Sequence, residues 1–328
     1  MTVLSANRSS MSASAIQLMR EKNIAIVLVV AAIILALIEP RFLTVDNFSA
    51  ITRQIVPVGL IALGQFFVIT SANIDLSLGY QAVLWAIVLG VVFGTTDSVA
   101  LGLVVVVIGS LAFGIINGAL VATLKLPAFI VTLGGLFIAR GLGGLVIPRQ
   151  QIFLLDEFFS WIGGQQYVGF YAIFIIMVAL YALAWIVYNN TSIGGYILGI
   201  GNNEENTRLA GINTTAVKIG VFAFAAFCAG LAGVTLTSRM GYVQPGIDGN
   251  VFLLDAIAAI VIGGASINGG RGTVTGTFMG VLFIGMLNNS MNLLNIEDIW
   301  QLVYKGVVIL AALVINWLLW ERRNEESF

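Results

Sequence analysis

Long apolar runs alternate with short polar clusters along nearly the whole chain. A membrane-spanning helix needs about 20 mostly apolar residues. Ten runs reach or approach that length: 23–38, 54–70, 77–94, 99–123, 127–147, 168–188, 214–237, 251–267, 273–292 and 299–320. The first is short, and Gly and Pro blur the ends of the second, third and eighth, so nine or eleven crossings fit the same pattern. The predicted fold class is all-α: a polytopic transmembrane helix bundle of about ten spans over 23–320. The Ser-rich leader 1–22 is expected to be a disordered cytoplasmic segment and 321–328 a short cytoplasmic tail. Basic residues precede the first run, as in a signal peptide. Glu39-Pro40-Arg41-Phe42 follows it without a small-residue cleavage pattern, so the run is read as a retained helix.

Lys and Arg set the orientation, because they concentrate on the cytoplasmic side. With the N-terminus inside, Arg8, Arg20, Lys22, Lys125, Arg208, Lys218, Arg271, Arg322 and Arg323 fall inside, against Arg41, Arg53, Arg149 and Arg239 outside. Both termini are predicted to be cytoplasmic. The small-xxx-small pairs Gly90/Gly94, Gly114/Gly118 and Gly276/Gly280 let helix backbones approach closely. They suit either packing within the chain or a seam between two chains.

Composition sharpens the class. Of 328 residues 59% are apolar and 9% charged, where a soluble domain runs nearer half and a quarter. Fifteen basic residues against sixteen acidic ones leave no field to hold nucleic acid. No histidine and a single cysteine, Cys228, exclude the usual zinc and haem arrangements, an internal disulfide and a Ser-His-Asp triad. A transporter remains.

Polar residues within apolar surroundings are expensive, so each is a candidate for function. Asp75 sits in SANIDLSLG between the second and third spans. It reads either as part of a polar break lining a wet cavity or as a turn in which Asp75 or Ser77 caps the next helix. Asn73 lies in the same break. Arg140 falls in the outer half of the fifth span, where it either snorkels or lines a pathway. Lys305, one turn into the tenth span, is expected to snorkel. Asn288 and Asn292 share a face of the ninth span with Asn289 beside them, as interhelical glue or a route for a hydroxyl-rich solute; Asn117 carries the same two readings. No embedded Asp, Glu or His relay of the kind that proton-coupled carriers use is visible.

The longest inside loop, 189–213, carries a second kind of signal. Its centre reads as a helix of about eight residues, with Asn202 as N-cap, Glu205 completing a capping-box-like pair and Gly211 at C′. Glu204 in the first turn and Arg208 near the end match the helix dipole. A stub that short needs support from the bundle or from a partner. The chain holds no ATPase: none of Lys22, Lys125, Lys218 and Lys305 is followed by the Ser or Thr of a P-loop. The Gly-rich stretch 262–276 has no Lys and is read as a flexible cytoplasmic turn.

Four segments carry a family likeness: GLIALGQFFVITSANIDLSLG (59–79), LPAFIVTLGGLFIARGL (126–142), GGYILGIGNNEENTRLAGIN (194–213) and the stretch 253–294 that ends GMLNNSMNLL. On these the chain resembles the permease subunits of bacterial ABC sugar importers, the family of ribose, arabinose, allose and galactose-type permeases. The resemblance implies a transport subunit of the bacterial inner membrane, not an enzyme. It implies a second permease subunit, identical or paralogous, and ABC ATPase subunits that hydrolyse the ATP. It also implies a periplasmic sugar-binding protein and no cofactor in this chain. The family's ATPase-docking segment matches Asn202, Asn203, Glu204, Glu205, Arg208, Leu209 and Gly211. Asp75 and Ser77 match its IDLS motif, Arg140 its IARG motif, and Asn288 and Asn289 its paired Asn. One departure is Ala72-Asn73, where relatives often carry Gly-Gly, and losing a Gly restricts the turn. The competing reading is an ATP-independent carrier or channel for a small polar solute. A membrane-embedded enzyme lacks any visible nucleophile–base pair.

Overall fold

Each of the ten apolar runs is a helix in the structure, a computed structural model that describes residues 13–146, 152–154, 156–244 and 246–325. In chain order these are α1 (Ala13–Ile38), α3 (Val56–Thr70), α4 (Leu78–Thr96), α5 (Val99–Ala122), α6 (Ala128–Val146), α8 (Ala172–Asn190), α10 (Thr214–Met240), α11 (Gly249–Ile262), α12 (Val274–Leu293) and α13 (Asp298–Glu325). Among the described residues three further α-helices lie between them, α2 (Val45–Gln54), α7 (Glu157–Gly164) and α9 (Ser192–Leu209), with a 3-10 turn at Pro40–Leu43. Two small antiparallel ribbons complete the fold. In one, β1 (Ile152–Phe153) pairs with β4 (Tyr242–Val243); in the other, β2 (Gln166–Tyr167) pairs with β3 (Phe170–Tyr171). The fold class is all-α, as the sequence predicts.

Among the described residues five helices, α4, α5, α6, α8 and α10, are long and apolar enough to cross a membrane singly, or six if α2 and α3, bent by 45°, form one broken span. The helix α1 begins at Ala13, ahead of the apolar run; residues 1–12, Arg149 and 326–328 lie outside the described residues. The expected eighth span is shorter than predicted. Its helix, α11, has 14 residues and at 1.5 Å per residue rises about 21 Å, well under a hydrocarbon core of about 30 Å. It ends at Gly263, where the chain turns.

The helices α3 and α10 sit in the middle. Every residue of α3 is buried, and α10 packs along α3, α4 and α5. The helices α5, α6 and α8 lie outside them and present Val104, Ile108, Phe137, Ile138, Leu183 and Ile186 outward. Apolar side chains on an outer surface are what lipid solvates. Glycine permits the close inner crossings. A Cβ on Gly114 would stand 2.5 Å from the Phe222 carbonyl of α10, and one on Gly280 1.9 Å from the Ala259 carbonyl of α11. Gly118 and Gly276 likewise face α10 and the end of α11, and Gly90 and Gly94 face Val243 and Ile152. All three small-residue pairs therefore pack within this chain.

Candidate functional site

Between α3 and α4 the helical path breaks over Ser71–Ser77, where Ser71, Asp75 and Ser77 are buried and Ala72 is exposed. A broken helix at such a place must satisfy its backbone from protein, and Asp75 does so. Its Oδ1 accepts the backbone N–H of Ser77 at 2.8 Å and the Ser77 hydroxyl. The Ser77 Oγ in turn accepts from Gln81 at 2.8 Å and from Asn117 of α5 at 3.2 Å. Asp75, Ser77 and Gln81 are all 0% exposed. Ser77 occupies the N-cap position of α4 but makes no side-chain cap bond; Asp75 takes that part, holding a negative charge at the positive end of α4. Asp75 Oδ2 and Gln81 Oε1 are buried without a partner among the described residues. Asn73 turns the other way and donates to the Ser71 carbonyl at 2.8 Å. The preceding Ala72 holds φ +58, the left-handed region in which glycine costs nothing.

A second helix start meets the first. A Cβ on Gly79 would lie 2.1 Å from the Gly249 carbonyl, so the N-termini of α4 and α11 touch backbone to backbone. Asp248 caps α11 by accepting the Asn250 N–H at 2.9 Å, and it also accepts the Tyr80 hydroxyl at 2.9 Å. Beside this junction lies a half-open cavity of about 380 Å³ lined by Tyr80, Val83, Ile87, Arg140, Asp248 and Asn250, among others. The Arg140 guanidinium carbon stands 5.5 Å from the centroid of the Tyr80 ring, a cation–π distance. Arg140 thus faces a cavity that also holds a carboxylate.

The three asparagines of α12 part company. Asn289 exchanges two amide bonds with Asn47 of α2, at 3.0 and 2.8 Å. Asn288 donates to Asp255 of α11 at 2.8 Å. Asn292 accepts from Gln301 of α13 at 3.0 Å. Lys305 does not snorkel. Its Nζ lies 3.0 Å from Asp255, with the two side chains 13% and 6% exposed, because a buried carboxylate within reach outweighs distant water.

The loop 189–213 is more helical than its sequence predicts. Thr191 caps α9, which runs without a break to Asn202. Ile197 and Ile200 are buried beneath it. At Asn203 the backbone becomes extended (φ −163°, ψ 102°) and a second short helix begins. The cap of that helix is Asn203, not Asn202: Asn203 Oδ1 accepts the Asn206 N–H at 2.9 Å. Asn202 instead donates to the Leu198 and Gly270 carbonyls, at 2.8 and 3.2 Å. Glu205 makes no capping box; it pairs with Arg208 at 2.7 Å, and that hydrogen bond raises the guanidinium pKa. Glu204 bonds Lys218 at the foot of α10. The end is as predicted. Gly211 has φ +85, with Gly211 N–H on the Arg208 carbonyl and Ile212 N–H on the Thr207 carbonyl, a Schellman closure. Leu209 is exposed.

The Gly-rich stretch after α11 is not a free turn. Gly270 N–H donates to the Thr70 carbonyl at the end of α3 at 2.9 Å, and Ser266 N–H to Arg271 at 3.0 Å. Gly201 of α9 lies so close that its Cβ would stand 1.9 Å from the same Thr70 carbonyl. Thus α9, the end of α3 and the turn after α11 form one backbone-locked junction, with Glu204–Lys218 adding α10.

Comparison with known proteins bears on this arrangement. The family described as "Branched-chain amino acid transport system / permease component" matches residues 47–314. The ribose import permease of Haemophilus influenzae is 38% identical over 305 residues, 90% of this chain and 93% of that protein. The ribose import permease of Escherichia coli K12 is 34% identical, over 91% of this chain and 94% of its own. The L-arabinose transport system permease of the same strain is 32% identical, over 89% and 88%. No solved structure matches the chain. With matches spanning nearly its whole length, the chain belongs to this family of membrane permeases and is a multi-pass transport component rather than an enzyme.

Proposed function

We propose that the chain is the permease subunit of an ATP-driven importer that carries a monosaccharide of the ribose type across the bacterial inner membrane. In this reading a second permease subunit completes the pore. Separate ATPase subunits dock on α9 from the cytoplasm, and a periplasmic binding protein delivers the sugar. The chain itself holds no cofactor. The relatives that align over about nine-tenths of the chain are named as ribose and arabinose permeases, and the cargo class follows them.

The observation that carries the reading is the junction of α9 with α3, α10 and the turn after α11. A force applied to α9 reaches α3 and α11 through backbone contacts that no rotamer change can absorb. Both of these helices lead to the place where α4 and α11 start, beside Asp75, Arg140 and Asp248. Coupling works only if the ATPase binds the inward-open and outward-open bundles with different free energies. Moving the ratio from 1:99 to 99:1 takes about 5.5 kcal/mol of such difference. A stiff connector delivers it; a loose loop would dissipate it.

The test is uptake of radiolabelled D-ribose and L-arabinose into proteoliposomes. No uptake is expected with the chain alone, and ATP-dependent uptake once ATPase and binding protein are added. Gradient-driven uptake by the chain alone would establish a secondary carrier instead.

A further inference from the structure

The half-open cavity at the meeting of α4 and α11 has a chemistry that the transport reading leaves unassigned, and we propose that it is the station at which a translocating aldopentose contacts this chain, between Arg140 on one side and Asp248 and Asn250 on the other. The inference rests on the importer reading for its cargo class; the cavity supplies the rest. About 380 Å³ is within the usual range for small-ligand sites and accommodates one monosaccharide with some of its water.

The polar groups are complementary to hydroxyls, and the two opposite charges do not pair with each other among the described residues. Arg140 is a donor-only fork with five N–H groups. Among the described residues it makes no hydrogen bond or ion pair, only the contact with the Tyr80 ring. Asp248 is an acceptor-only group. Its Oδ1 is held by the Tyr80 hydroxyl and the Asn250 N–H, which fixes its orientation, while Oδ2 has no partner among the described residues. Arg140 and Asp248 line one cavity without forming an ion pair among the described residues. A hydroxyl both donates and accepts, so a polyol can give a proton to Asp248 Oδ2 and take one from Arg140. An anion would meet Asp248, and a cation Arg140; a neutral polyol meets neither penalty. Val83 and Ile87 offer apolar wall to the C–H face of a sugar. Tyr80 and Asp248 are 168 positions apart in sequence, so only the fold assembles the station. So few bonds imply weak, millimolar contact, which suits a point of passage.

The experiment is saturation-transfer NMR on the full chain in lipid nanodiscs, without partners, using D-ribose, L-arabinose and L-leucine at millimolar concentration. The expected result is transfer to the ring protons of a pentose. Arg140→Gln and Asp248→Asn should each cut it at least about ten-fold, the order expected for one hydrogen bond to a charged group. Asn retains the cap on Asn250, so α11 should stay folded, and an unchanged melting midpoint checks this. Glu157→Gln, an exposed residue at the start of α7, should leave the transfer as it was. Absence of transfer to both pentoses, equal transfer in the cavity variants, or transfer to L-leucine alone would overturn the proposal. The two readings fail separately. Loss of ATP-driven uptake in the assembled complex removes the importer reading. Intact uptake with no saturation transfer removes only this station.

Discussion

Replacing Gly201 with alanine tests the backbone lock between α9 and α3. The new Cβ would lie 1.9 Å from the Thr70 carbonyl oxygen and 2.4 Å from the Gly270 nitrogen, where real Cβ atoms essentially never approach within 3.0 Å. Both obstacles are backbone, so no side chain can swing aside. Unless α9 retreats by about 1.1 Å, the methyl wedges open the 2.9 Å bond from Gly270 N–H to Thr70. An unpaired buried backbone group costs about 1–3 kcal/mol and an added methyl in a packed site another 1–3 kcal/mol. The expected loss is therefore about 2–6 kcal/mol. Gly195 on the same helix has nothing within 4 Å of its Cβ direction, so Gly195→Ala should instead gain up to about 1 kcal/mol of helix propensity. Denaturation midpoints of the two variants in detergent, with binding-protein-stimulated ATP hydrolysis in the complex, form the assay. Gly201→Ala should melt earlier and respond less to binding protein. Equal stability of the two variants would refute the lock.

Three other substitutions probe the bundle. Lys305→Met strands the Asp255 carboxylate and should cost about 3–5 kcal/mol; adding Asp255→Asn should recover most of it, as a double-mutant cycle of melting midpoints would record. Asn289→Leu breaks the reciprocal amide pair with Asn47, at about 1–2 kcal/mol, and after Asn47→Leu the same change should cost clearly less. Ala72→Gly relieves a left-handed alanine (φ +58) worth about 1–2 kcal/mol, offset in part by unfolded-state entropy, so the midpoint should rise slightly.

Much of the helical framework was legible because lipid-facing and core-facing helices alike are continuous apolar runs. The C-terminal closure at Gly211 was legible for a local reason: glycine at C′ frees the left-handed turn. What escaped is mostly non-local. The stretch SIGGYILGIGN reads as loop because its glycines lower helix propensity; two of them, Gly194 and Gly201, are required because a Cβ there would stand under 2 Å from backbone. Two adjacent asparagines made the N-cap ambiguous by one residue, and Asn202 was drawn off by Gly270. Lys305 pairs with Asp255, 50 positions away, and no periodicity announces that. Asp248 did leave a trace. An Asp-Gly-Asn sequence directly before an apolar run is a helix-start signal, and it marks both α11 and one wall of the cavity.

The central claim is that α9 is where a separate ATPase takes hold of this bundle. It is tested most directly by Glu205→Cys in a Cys228→Ser background, probed with a membrane-impermeant thiol reagent from each side in turn. Glu205 is well exposed, so the thiol should react from the cytoplasmic face alone, and addition of the ATPase should block the reaction. Labelling from the opposite face, or labelling unchanged by the ATPase, would contradict the account.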